Sequence, residues 1–109
     1  MKIRDLFSTQ QQTFSFEFFP PKTEEGMPQL FETIRQAKSL DLGYISVTYG
    51  AGGGTRDKTI ELVKRAKQEL GIESMAHLTC MGHSKAELRD ILERLQNAGI
   101  ENIIALRGD

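Results

Sequence analysis

The residue best placed to do chemistry is Glu17, set in the run Phe14-Ser15-Phe16-Glu17-Phe18-Phe19 and followed by Pro20-Pro21. A carboxylate walled by phenyl rings is costly to ionise. Burial there would lift its pKa above the usual glutamate value of about 4.3, towards the range of a general acid. The alternative turns Glu17 away from the phenylalanines, outward on the pleat or onto a nearby Lys or Arg. Three further polar residues recur behind it: Thr48, His77 and Arg107 follow at separations of 31, 29 and 30 residues. Between them lies Gly50-Ala51-Gly52-Gly53-Gly54-Thr55. A glycine-rich loop of this kind lets backbone N–H groups approach a phosphate. No Gly-Lys-Ser/Thr follows it and the G-x-G-x-x-G pattern is incomplete, so a plain connecting loop remains the alternative.

His77, Cys80 and His83 place two imidazoles and a thiol within seven residues. A closed zinc site needs a fourth ligand, and an odd separation sends His77 and Cys80 to opposite faces of a strand. No metal site is expected. Arg107-Gly108-Asp109 spells an integrin-binding tripeptide, but nothing else in the chain fits an extracellular role.

The elements that must position these residues show as a repeat. Gly43, Gly71 and Gly99 stand 28 residues apart, each closing a stretch of helical periodicity. Met27, Leu30, Phe31, Ile34 and Ala37 mark the first stripe; Ile60, Val63, Ala66 and Leu70 mark the second. In the third, Ser84 and Glu87 form an S-x-x-E capping box. Leu88, Ile91, Leu92 and Leu95 are its expected buried face, and Gly99 its left-handed closing residue. Strand-like runs follow each glycine: Tyr44–Tyr49, Ser74–Cys80 and Asn102–Arg107, with an earlier one at Thr13–Phe19. Residues 1–12 read as a short amphipathic lead-in, with Ile3, Leu6 and Phe7 on one side.

Strand and helix alternating at this period imply βαβ units and a parallel sheet, an α/β fold. Four strands and three helices make about half of a TIM-type (βα)8 barrel, which needs roughly 250 residues. The expectation is therefore a lead-in over 1–12 and the first half of a barrel over 13–109, stopping after strand four. Glu17, Thr48, His77 and Arg107 fall at or near the C-terminal ends of the strands, where barrel enzymes place their active sites. Solvent-facing strand ends are the bland alternative. Half a barrel leaves both outer strands unpaired, so self-association into a dimer or larger oligomer is expected.

Composition narrows the function classes. The 109 residues carry 14 Lys and Arg against 15 Asp and Glu, a net charge of −1, with 39% hydrophobic residues. That balance gives no electrostatic reason to expect nucleic acid or an anionic membrane as partner. The single cysteine forbids an internal disulfide. No apolar run reaches the roughly 18 residues of a membrane span, and the N-terminus lacks a signal-peptide pattern. A cytoplasmic protein is expected.

Four blocks occur in order: FSFEFFPPKTEEG, VTYGAGGGTRDKT, AHLTC and ALRGD. Together they closely resemble the methylenetetrahydrofolate reductases, and they run from the first strand to the last residue. The resemblance implies a flavoenzyme on a (βα)8 barrel. Its reaction would be reduction of 5,10-methylenetetrahydrofolate to 5-methyltetrahydrofolate, with electrons passing from NAD(P)H through bound FAD. By matching position, Glu17 corresponds to the general acid that opens the folate ring to an iminium, the acceptor of hydride from the flavin. Thr48, Tyr49, Ala51 and His77 are similar to FAD contacts, and Arg107, Gly108 and Asp109 to a strand-four cluster at the flavin. Asp109 would also recognise the pterin. The three consecutive glycines leave phosphate contacts beyond Ala51 unassigned.

Overall fold

Helix and strand alternate along the chain as the glycine spacing requires. The structure, a computed structural model, describes residues 1–50 and 56–107. Its elements are α1 (Ile3–Thr9), β1 (Ser15–Phe18), α2 (Met27–Ala37), β2 (Tyr44–Val47), α3 (Arg56–Leu70), β3 (Ser74–Thr79), α4 (Lys85–Asn97) and β4 (Asn102–Leu106). The strands form one parallel sheet in the order β1-β2-β3-β4. This is the architecture of a partial TIM-type barrel, and these four strands do not close it.

The helix count is four among the described residues, because the lead-in is itself helical. Ile3 and Leu6 are buried, whereas Phe7 lies mostly exposed with its ring edge against Tyr44. Asn102 secures α1 at the N-terminal ends of the strands. Its Oδ1 accepts from the Ile3 N–H at 2.8 Å, and its Nδ2 donates to the Met1 carbonyl at 2.8 Å. That end of the sheet is thereby covered by the chain's own helix.

On the helix side, Ile45 and Val47 of β2 and Ala76 and Leu78 of β3 share one core with Ile34, Val63, Ala66, Ile91 and Leu95. Along the stripes of α2 and α3, Met27, Ile34, Ala37, Ile60, Val63 and Ala66 are buried, and Leu30, Phe31 and Leu70 partly so. In α4 only Ile91 and Leu95 are fully buried; Leu88 is partly so, and Leu92 is 44% exposed, contrary to the expected face. Alternation along the strands puts Ser46, Met75 and His77 on the other face of the sheet.

The three repeat glycines do different work. Gly71 and Gly99 take positive φ (+68° and +81°) and end their helices in the left-handed region. After α2 that role falls to Asp41, with φ +56°, at the end of the short 3-10 turn Lys38–Leu40. Gly43 is needed for space: a Cβ there would stand 2.5 Å from Thr13 Cγ2.

The capping box at α4 is present in full. The Glu87 N–H donates to Ser84 Oγ at 3.2 Å, and the Ser84 N–H donates back to Glu87 Oε1 at 3.4 Å. Ser84→Ala should cost about 0.5–2 kcal/mol of stability, read as a lower urea midpoint. The Ser84 N–H, and after it His83, hold the Glu87 carboxyl below the usual carboxylate range. A lowered folded-state pKa contributes stability that is present above the unfolded value and lost as pH falls through the folded one. The stability gap between wild type and Glu87→Gln should therefore close on acidification.

Candidate functional site at the C-terminal ends of the strands

Parallel register decides which strand-end residues share a face. Glu17 pairs with Ser46, and Ser46 with Met75. Continuing that register one step sets Thr48 beside His77, which itself stands opposite Ile104 of β4. Glu17, Thr48 and His77 thus point to the same side, away from the helices. The sheet brings the Glu17 and His77 side chains together across β2: Oε1 lies 3.2 Å from His77 Nε2. His77 is 10% exposed there and Glu17 50%. The distance permits an ion pair when the imidazole is protonated, yet Nε2 makes no aligned hydrogen bond and is otherwise buried.

This geometry corrects the aromatic enclosure expected for Glu17. Two-residue alternation turns Phe16 and Phe18 to the opposite face, where their rings meet edge to face at 6.3 Å. Phe14, Phe16 and Phe19 are themselves exposed. Glu17 instead takes the alternative orientation, away from the phenylalanines, and its partner is His77 rather than a Lys or Arg.

The surrounding loops are tied down by polar contacts. Lys58 Nζ donates to the carbonyls of Pro21 (3.0 Å) and Lys22 (2.9 Å), fixing the segment after β1 to the first turn of α3. Thr59, fully buried, donates from Oγ1 to the Thr48 carbonyl at 2.8 Å, and the Thr48 N–H donates to the Phe18 carbonyl.

Of the remaining expected site residues, the side chains of Tyr49 and Arg107 are not assembled with these. Tyr49 follows Thr48 but its side chain turns into the helix layer, where its hydroxyl lies 2.7 Å from His83 Nε2. Burial pushes that hydroxyl above the usual phenol range. Arg107 is exposed just past β4 and one step out of phase with Ile104, so it is not beside His77. Ala51, Gly108 and Asp109 lie outside the described residues. Cys80 is exposed, and no metal-binding cluster of His, Cys, Asp or Glu occurs among the described residues. A groove of about 1040 Å3 between α3 and α4, lined by Asp57, Lys64 and Arg94 among others, contains none of the expected site residues. The Tyr49–His83 contact was not legible beforehand; only the single-residue step between Thr48 and Tyr49 hinted that the two side chains diverge.

The sequence model of the family described as methylenetetrahydrofolate reductase matches residues 2–109. The chain belongs to the methylenetetrahydrofolate reductase family. It is 42% identical over 108 residues to "Methylenetetrahydrofolate reductase (NADH) 1" of Arabidopsis thaliana, covering 99% of this chain and 18% of that protein. It is 46% identical over 95 residues to the 5,10-methylenetetrahydrofolate reductase of Escherichia coli, covering 87% of this chain and 32% of that one. The chain therefore spans about a fifth to a third of the length of these reductases. No helix among its described residues is long and apolar enough to cross a membrane.

Proposed function

We propose that this chain supplies the N-terminal strands of a cytoplasmic, FAD-dependent methylenetetrahydrofolate reductase, residues 13–109 being the first half of the catalytic barrel. The observation that carries the proposal is the Glu17–His77 contact at the C-terminal strand ends, on the face away from the helices. A buried imidazole nitrogen without an aligned partner is a position that a polar cofactor can satisfy, so the residues fit FAD. His77 and Thr48 would hold it, with the backbone of Tyr49 and with Ala51, Arg107, Gly108 and Asp109 by family correspondence. The chemistry a bound FAD would supply is hydride transfer from NAD(P)H to the folate methylene carbon.

The chain's own part is proton handling and recognition. Glu17 in its acid form would donate a proton to the folate nitrogen as the ring C–N bond breaks, giving the electrophilic iminium. His77 Nε2 lies 3.2 Å from the Glu17 carboxyl, so the two side chains share the same strand-end face. Asp109 would accept paired N–H donors of the pterin through its two oxygens. The test is product formation by the chain continued to the length of its relatives. With FAD and either NADH or NADPH it should convert 5,10-methylenetetrahydrofolate to 5-methyltetrahydrofolate, and the preferred nucleotide follows from the same assay. No product with either nucleotide would overturn the proposal.

A second reading concerns the 109-residue chain alone, and exposed apolar residues at both sheet edges favour it. Phe14 and Phe16 on the β1 side and Ile103 and Leu106 on β4 are all more than one-third exposed. Unpaired parallel edges of this kind associate. The isolated chain should sediment as a dimer or larger species with no turnover of its own, and a compact monomer that unfolds cooperatively would contradict this.

A further inference from the structure

A second imidazole is buried on the helix side of the sheet. His83 follows β3 through a turn in which Gly82 takes φ +75°, and its side chain is only 4% exposed. Its Nε2 lies 2.7 Å from the Tyr49 hydroxyl, while its buried Nδ1 stands 3.5 Å from Glu87 Oε2, an electrostatic contact and not an aligned hydrogen bond. The Glu87 carboxylate offers only acceptors, so attraction requires the proton on Nδ1. Nε2 is then bare, and the Tyr49 hydroxyl donates to it. The other tautomer would set a bare Nδ1 against the carboxylate. Arg56 Nη1 on α3 stands 3.5 Å from the same Oε2, and the Ser84 N–H donates to the other oxygen; both favour the ionised carboxylate. Asp57 and Arg94 complete the charged groups acting on Tyr49.

We propose that Tyr49, His83 and Glu87 form a positioning latch: a tautomer-fixed imidazole that ties the C-terminal end of β2 to the start of α4. Tyr49 and Thr48 are consecutive and face opposite ways, so whatever holds the Tyr49 ring also sets Thr48 at the mouth. The turn bearing His83 is anchored two residues beyond His77, since the Met81 N–H donates to Thr79 Oγ1 at 3.1 Å. The latch thereby fixes Thr48 against His77 from the far side of the sheet. Its consequence for flavin affinity rests on the function proposed above.

The test is imidazole 15N–1H correlation spectroscopy on the labelled chain at about pH 8, above the range in which an ordinary imidazole changes charge. The expected result is an Nδ1–H tautomer at His83. Tyr49→Phe, which removes only the donor, should free that tautomer and shift the His77 signals although residue 49 does not touch His77. His83→Phe should shift them as well, whereas His83→Gln, which keeps an acceptor, should restore them towards wild type. An Nε2–H tautomer at His83, or His77 signals unmoved in both Tyr49→Phe and His83→Phe, overturns the latch. In a parallel FAD titration, Tyr49→Phe should weaken affinity about 2- to 10-fold, the worth of one hydrogen bond. If FAD binds neither protein, the flavin reading fails for this chain while the tautomer still decides the latch.

Discussion

Glu17→Gln, made in an enzyme that continues this chain to the length of its relatives, is expected to slow folate reduction about 10²- to 10⁴-fold, the usual worth of a general acid. Oxidation of NAD(P)H in the same protein should be unchanged. Hydride transfer from the nucleotide asks for no proton from Glu17, whereas opening the folate ring does, and an amide cannot supply it. The substitution is nearly isosteric and falls on a half-exposed side chain, so folding should survive. Among the described residues its close side-chain partner is His77. Rapid mixing of each half-reaction, followed at the flavin absorbance, separates the two. Equal slowing of both would make Glu17 a positioning group through His77, and a normal folate half-reaction would remove it from the mechanism.

The second large effect is on stability. Ile45→Ala should cost about 2–5 kcal/mol, through lost burial plus the cavity left behind. Ile45 is 0% exposed on β2, with strands on both sides and the helix layer against it. A loss of that size is a large share of the roughly 5–15 kcal/mol that holds a domain together. Leu92→Ala is the contrast, since that side chain is 44% exposed; it should fall within about 0.5 kcal/mol of wild type. Urea midpoints of the two variants check the pair, and comparable losses would contradict the assignment of the core.

That contrast also shows where the sequence was informative. Helical stripes and the capping box are local patterns, and α2, α3 and α4 stand where the periodicity puts them. Parallel order followed from βα alternation, and the shared face of Glu17, Thr48 and His77 from their regular spacing at strand ends. What failed depended on neighbours in space. Leu92 fits the helical period, but burial depends on what another element lays against that face, and Leu92 stays 44% exposed. Glu17 sits among phenylalanines in sequence, while the pleat sends Phe16 and Phe18 to the other face. Arg107 is out of phase because β4 pairs through Ile104 opposite His77. Gly43 looks like a helix-ending glycine, yet the left-handed residue is Asp41 and Gly43 answers to the Thr13 side chain. Tyr49 and His83 are 34 residues apart in sequence, and only the folded sheet joins them.

In the function proposed here, the flavin binds on the strand-end face bearing Thr48 and His77. The direct measurement is FAD affinity, by equilibrium titration at the flavin absorbance, of the enzyme continued to the length of its relatives and of its His77→Ala and Cys80→Ala variants. His77 offers a buried nitrogen with no aligned partner, whereas Cys80 is exposed beyond the end of β3. Losing a hydrogen bond from such a group costs about 1–3 kcal/mol, so His77→Ala should weaken binding about 5- to 150-fold, with Cys80→Ala close to wild type. Equal affinity in all three proteins would contradict the account.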